Sequence, residues 1–334
     1  MSGAQNFWKG LRKPFFVLAP LANVTDAAFR SIIAKYSKPV GPDVFFTEFV
    51  SADGIFKGNL PRHAGGKTGR DVLIRDLQFS PAEKPVVAQF FTSDPTMMER
   101  AAALAAEMGF SGVDINMGCP DRSVEKQDAG AKLILNPERA VELIAAAKRG
   151  GAGLPVSVKT RLGYNKDVLD EWLPVLLRAE PAAVTIHART RKEMSKVPAR
   201  WERVARAVEI RNELGADTLI VGNGDLWGVE DARAKVQESG ADGAMLGRAI
   251  FGKPWLFKAS ENPPLTQRLH ILVEHTKLFE EILGDIKNFA IMKKHFKAYV
   301  EGFDGARELR ARLMDTRSAA EVEQIVGEFL ANHP

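Results

Sequence analysis

Eight short β-rich runs recur along the chain as far as Arg248: FFVLA from Phe15, DVFFTE from Asp43, PVVAQF from Pro85, GVDIN from Gly112, PVSVKT from Pro155, AVTIHA from Ala183, TLIVGN from Thr218 and GAMLGR from Gly243. Most are followed by a helical pattern, and strands alternating with helices in this way build parallel βα units. Asp94-Pro95 and Asn136-Pro137 each pair a side-chain N-cap with proline at the first helical position, and Gly109 offers a stop for the helix between them. Eight such units predict an α/β chain whose residues 1–258 form a (β/α)8 TIM barrel, an architecture of about 250 residues. An open doubly wound sheet uses the same units, but its glycine-rich dinucleotide fingerprint after an early strand is missing.

Residues Phe15 to Ala22 are apolar and follow Lys9, Arg12 and Lys13, yet the run is short and leads into a polar capping segment. It reads as a first buried strand rather than a signal peptide. No stretch approaches the roughly 18 apolar residues that cross a bilayer, so no membrane partner is expected. Cys119 is the only cysteine in 334 residues, which points to a reducing, cytoplasmic setting. Lys and Arg exceed Asp and Glu by a formal charge of +4, compatible with a nucleic-acid partner without establishing one.

A barrel of this class carries its chemistry at the C-terminal ends of its strands. Those ends offer Pro20, Glu48, Gln89, Asn116 with Cys119, Lys159, His187, Asn223 with Asp225, and Arg248. Singly, each has a structural explanation; a polar residue at the same end of strand after strand does not. Cys119 sits between Gly118 and Pro120, in a rigid turn that projects a side chain into a cleft. Gly222-Asn223-Gly224-Asp225 and Leu246-Gly247-Arg248 place small residues and a cation where such barrels bind phosphate. Lys159 and Gln89 suit the N1–O2 edge of a flavin, which needs a cation and an amide. Lysine could instead form a Schiff base, but that leaves Gln89, Asn116 and Cys119 without a task. His and carboxylate residues form no dense ligand cluster, so no metal is expected.

APLANVTDAAFR, VAQF, DINMGCP followed by AGAKL, VKTRLGY, IHARTR, GNGD and MLGRAIFGKPWLF occur in an order that resembles the tRNA-dihydrouridine synthases. The likeness runs from about Pro14 to the C-terminus, where MKKHFKAYVEGFDGARELR resembles that family's helical segment. The resemblance implies FMN at the barrel mouth, with Pro20, Leu21 and Ala22 lining the ring and Gln89 and Lys159 on its polar edge. It places His187, Asn223, Gly224, Asp225, Gly247 and Arg248 at the ribityl-phosphate region. Cys119 would protonate uracil C5 after hydride transfer to C6, Asn116 would help seat the uracil, and Arg161 or Arg189 would orient substrate. NADPH is the implied reductant and tRNA the implied partner, with the target nucleotide extruded from its stack. Leu21 stands where the family often has methionine, a volume-conserving change. Lys192 to Lys196 lacks the glutamine common there, which leaves the target position open.

Beyond Phe257 the alternation stops. Residues 259–265, with Pro263-Pro264, read as a linker, and residues 266–334 as a small helical tRNA-binding domain. Leu269, Leu272, Val273, Thr276, Phe279 and Leu283 form one helical stripe, and Phe289, Met292, Phe296, Tyr299 and Val300 a second. Ser318 and Glu321 form a capping box ahead of Val322, Ile325, Val326 and Phe329. Lys287, Lys293, Lys294, Lys297, Arg307, Arg310, Arg312 and Arg317 could track an RNA backbone, though Glu301, Asp304, Glu308 and Asp315 dilute them. Lys293, Lys294 and Lys297 are the chosen RNA contacts, and a monomer is the expected unit. The competing readings are an FMN barrel oxidoreductase acting on a free pyrimidine or enone and, more remotely, a non-enzymatic RNA-binding barrel.

Overall fold

The computed structural model describes residues 6–58, 68–258 and 263–333. Nine strands form one sheet: β1 (Phe15–Leu18), β2 (Phe45–Phe46), β3 (Val50–Ser51), β4 (Val86–Phe91), β5 (Gly112–Met117), β6 (Val156–Arg161), β7 (Ala183–His187), β8 (Leu219–Asn223) and β9 (Gly243–Leu246). Neighbours follow the order β1-β9-β8-β7-β6-β5-β4-β2, every pair is parallel, and β3 adds to β4. A parallel bridge between Val17 and Val44 closes the ring, with Leu18 N donating to Val44 O at 3.0 Å. The chain is therefore a (β/α)8 barrel with helices between the strands and further helices at its C-terminal end.

All eight β-rich runs contain a strand, but the second, DVFFTE, is strand only over Phe45–Phe46, and β3 lies beyond its end. β2 and β3 are separated by Thr47, Glu48 and Phe49. At the break, Gln89 N donates to the Thr47 hydroxyl at 3.1 Å rather than to a main-chain carbonyl, so a side chain satisfies the donor and the ladder lapses. The two predicted caps are present: Asp94 accepts from Thr96 N and Met97 N, and Asn136 from Arg139 N. Gly109 has φ +78°, the left-handed conformation that ends a helix readily only at glycine.

Side chains alternate along each strand, which gives the barrel two cores. Phe15, Val17, Val44, Phe46, Val87, Val221 and Met245 fill the interior, with Trp8 buried against Phe15 and Phe46 at 5.8 and 6.4 Å between ring centroids. The opposite faces join the helices in an outer core that continues without a break into the C-terminal helices.

Of the expected linker, residues 259–262 lie outside the described residues, and Leu265 already begins a helix, Leu265–Leu283. This helix and two others, Met292–Tyr299 and Ala319–Asn332, bury most of the expected stripes, with Phe289 and Ile325 only partly buried, and a further helix, Ala306–Met314, buries Leu309 and Leu313. Ser318 caps the last helix by accepting from Glu321 N, while the Glu321 carboxylate reaches Arg317 N rather than closing the expected box on Ser318.

The C-terminal helices are packed onto the barrel. Phe29, in the barrel helix Ala27–Ser37, stacks on His275 at 4.7 Å and meets the edge of His295, also at 4.7 Å. His275 and His295 are fully buried, and His275 Nε2 and both His295 nitrogens have no hydrogen-bond partner. Burial accordingly pushes both imidazoles below their ordinary range, His295 to about 3.

Lys287 departs from its expected place among the RNA-facing cations. It is 8% exposed and lies 2.7 Å from both Glu48 Oε2 and Asp76 Oδ1. Burial alone would push its ammonium down, but Glu48 and Asp76 hold it above its ordinary range. Burial and the neighbouring Glu48 push Asp26 up to about 7. Arg310 is also occupied, donating to Val300 O at 2.6 Å, and Arg312 pairs with Glu328.

Removing Lys287 strands buried carboxylates, so Lys287→Met should lower the unfolding free energy by about 3 kcal/mol. Adding Glu48→Gln should recover part of that loss, as urea unfolding would show; equal stability of Lys287→Met and wild type would contradict the burial. The buried imidazoles add an acid dependence. Their contribution is complete above the unfolded pKa of about 6.5 and declines as pH falls below it, because the unfolded chain then binds protons that the folded chain refuses. The two together should steepen the loss by up to about 2.7 kcal/mol per pH unit, and His295→Phe should halve that slope.

Candidate active site

A cavity of about 490 Å³ opens at the C-terminal ends of the strands. Strand register explains its floor. Gln89 pairs with Asp114, Asp114 with Ser157, Asn116 with Lys159, Arg161 with His187, and His187 with Asn223. Alternate residues share a face, so Asp114 and Asn116 on β5, and Ser157, Lys159 and Arg161 on β6, stack above the apolar interior.

Asp114 is fully buried. Its Oδ2 accepts from Gln89 Nε2 at 2.7 Å and its Oδ1 from Ser157 Oγ at 2.6 Å. Burial pushes it up to about 6, opposed by those two hydrogen bonds. Gln89 Oε1 in turn accepts from Asn116 Nδ2 at 3.0 Å. Asn116 Oδ1 accepts from Gly118 N at 3.1 Å and Cys119 N at 2.8 Å, so Asn116 shapes the cysteine turn. Arg161 Nε donates to Gly118 O at 2.8 Å and Nη1 to Thr190 O at 3.1 Å. Gly130, at φ +63°, packs behind: a Cβ there would lie 2.7 Å from the Cys119 carbonyl oxygen. Three neighbours thus fix the cysteine backbone.

The Cys119 side chain faces the cavity beside Phe49, Phe91, Val124 and Ala129. Burial pushes its thiol above the ordinary range, so it is a protonated acid at neutral pH and a poor nucleophile. Lys159 reaches the same cavity, and its ammonium has no ion-pair partner among the described residues. Burial, and then the nearby Arg161, lower it to about 8.

A chain of charge crosses the β7 to β9 side. Arg189 Nη1 lies 3.2 Å from His187 Nε2, Arg189 Nη2 donates to Asp225 Oδ2 at 2.5 Å, and Arg248 Nη2 donates to Asp225 Oδ1 at 2.8 Å. Burial and then the cations around it hold His187 far below its ordinary pKa. A guanidinium only donates, so His187 Nε2 accepts and Nδ1 carries the hydrogen. Arg189 also donates Nε to Val197 O at 2.6 Å, which occupies all three of its nitrogens. Gly224 has φ +124°, and a Cβ there would meet Ala199 at 2.9 Å and His187 at 3.2 Å. Asn223 Nδ2 donates to Met245 O at 2.7 Å.

Of the residues singled out from sequence, Pro20, Leu21 and Ala22, Gln89, Asn116, Cys119, Lys159 and Arg161 all line this cavity, as do His187, Arg189, Asn223, Gly224, Asp225, Gly247 and Arg248. Lys293, Lys294 and Lys297 lie on the helix Met292–Tyr299 and do not line it. Sequence reading missed Asp114, although its place two residues before Asn116 puts both on one strand face. It also missed Phe49, Met194, Ser195 and Trp227 on the cavity wall.

The family model described as "Dihydrouridine synthase (Dus)" matches residues 17–333. A probable tRNA-dihydrouridine synthase of Staphylococcus aureus (strain MRSA252) is 40% identical over 330 residues, covering 98% of this chain and 96% of that protein. A probable tRNA-dihydrouridine synthase 2 of Bacillus subtilis (strain 168) is 40% identical over 328 residues, covering 97% of each. Among solved structures, morphinone reductase in complex with tetrahydroNAD aligns over 80% of this chain and 94% of its own, with a TM-score of 0.49 and 12% identity, too distant to bear on the assignment. A family match from Val17 to His333, with relatives covered almost end to end, makes this chain an enzyme of the dihydrouridine synthase family.

Proposed function

We propose that the chain reduces uridines in tRNA to 5,6-dihydrouridine, with FMN held in the barrel-mouth cavity and NADPH as reductant. The observation that carries this reading is a desolvated ammonium, Lys159, with no ion-pair partner among the described residues, facing the same cavity as a protonated thiol, Cys119. A buried cation left unpaired is costly unless a ligand completes it. The cavity's volume is within the usual range for cofactor sites, about 300–1,000 Å³.

The donor set fits FMN. Pro20, Leu21 and Ala22 offer an apolar face, and Gln89 keeps a second Nε2 hydrogen for a pyrimidine edge beside Lys159. Gly224 and Gly247 line the cavity where a phosphate would sit, with Arg248 oriented by its ion pair to Asp225. When bound there, FMN would supply the hydride for uracil C6. Cys119 then donates its proton to C5, and its raised pKa keeps that proton in place at neutral pH. Asn116 and Arg161 hold the turn that aims the thiol, and Arg189 acts through His187 and Asp225. Lys294 and Lys297 are exposed and Lys293 half-buried, and none has an ion-pair partner among the described residues, which suits contact with tRNA phosphates. We assign the activity to a monomer in the cytoplasm; no helix among the described residues is long and apolar enough to cross a membrane.

Nucleoside analysis of tRNA incubated with enzyme and NADPH tests the whole reading, since a small-molecule reductase would leave tRNA unchanged. Cys119→Ala should retain FMN and its reduction by NADPH, yet form dihydrouridine at least about 100-fold more slowly, the usual weight of a positioned acid. Wild-type product from the variant would remove the thiol from the reaction. Lys159 supplies a pH test. As its apo-protein pKa is about 8, FMN affinity should weaken as pH rises through that value, while Lys159→Met should bind FMN more weakly and without that pH step. A titration step unchanged in the variant would assign it to another group.

A further inference from the structure

Among five tryptophans, Trp8, Trp172, Trp201 and Trp255 are buried, whereas Trp227 is 70% exposed. Six large apolar side chains are exposed among the described residues, and three of them, Trp227, Met194 and Val197, belong to the loops that follow the adjacent strands β7 and β8. Trp227 and Met194 both line the cavity, so this apolar surface is part of its rim. Water-facing indole is unfavourable, and its concentration at one mouth calls for an occupant.

Hydrogen bonds fix the backbone of this rim. Trp227 N donates to Asp231 Oδ2 at 2.9 Å, fixing the turn ahead of the helix Val229–Ser239. Met194 has φ +55° and its carbonyl accepts from Arg161 Nη1 at 3.3 Å. The Arg248 guanidinium lies 5.9 Å from the Trp227 ring centroid. On the neighbouring loop Lys192 and Lys196 are exposed and have no ion-pair partner among the described residues, while Glu193 is taken by Arg200 and by Thr190 N. Of the acids lining the cavity, Asp121 accepts from Ser123 and Asp225 pairs with Arg189 and Arg248. An exposed aromatic face beside unpaired cations is the combination that binds a single strand of nucleic acid, bases on the ring and phosphates on the lysines.

We propose that Trp227 is a stacking platform for an unpaired base of the RNA that flanks the reduced uridine, with Lys192 and Lys196 on the adjoining phosphates. The inference rests on the proposed tRNA substrate. A nucleotide entering the cavity must leave its stack, and its neighbours lose a stacking partner at that moment. Trp227 stands outside the cavity floor, where a flanking base emerges, and its π-face accepts any base.

The test uses full-length holoenzyme and an unmodified tRNA transcript. Trp227→Ala should raise the KM for tRNA about tenfold with kcat little changed, because one stacked base is lost. Trp227→Phe should stay within about threefold of wild type, since a smaller ring still stacks. Flavin content and NADPH oxidation without RNA, read in all three proteins, separate any change in FMN binding from a change in tRNA binding. Binding of the transcript should quench the exposed tryptophan emission of wild type, and Trp227→Phe should lack that component. If wild type makes no dihydrouridine, the proposed function itself fails. If wild type turns over but Trp227→Ala keeps its KM for tRNA, or raises the KM for NADPH instead, the stacking platform is overturned and the function stands.

Discussion

Asp114 ties three neighbouring strands together at the level where the dry barrel interior gives way to the polar cavity, accepting from Gln89 on β4 and from Ser157 on β6. An ionised carboxylate accepts hydrogen bonds and cannot donate them. Gln89 must therefore turn its NH₂ toward Asp114 and its oxygen toward Asn116. Asn116 must then present its NH₂ to Gln89 and its oxygen to the amides of Gly118 and Cys119. Both amide orientations and the shape of the cysteine turn follow from one buried charge. Every donor in the chain points toward that charge, so each bond polarises the next.

Electrostatics then divide the cavity. On one side the thiol keeps its proton because its surroundings are apolar, and on the other burial, and then the surrounding cations, keep His187 neutral. Asp225 sits between Arg189 and Arg248 and sets the direction of both guanidiniums before any ligand arrives. Part of the entropy of ordering these two side chains is thereby met during folding.

Much of this was legible in the sequence, because a strand's period of two and its C-terminal end are local properties. A polar residue closing an apolar run announces both its face and its height in a barrel. The partner of each residue is a different matter. Arg189 and Arg161 read as substrate-orienting groups, yet most of their donors serve neighbouring loops. The break between β2 and β3 depends on a hydroxyl meeting an amide from another strand, which no periodicity encodes. Lys287 looked like one more surface cation in a basic stretch, and only the packing of the C-terminal helices on the barrel buries it.

That burial makes the two regions electrically incomplete apart. Glu48, which shares Lys287 with Asp76, also accepts from the main-chain amide of Asn23, immediately after the cavity-lining Leu21 and Ala22. A helical region exchanged between relatives would carry part of the support of the cavity wall with it. Such a chimera keeps its cavity wall only if the incoming segment brings a cation to the position of Lys287, so the seam between barrel and helices is a unit of inheritance rather than a place to cut.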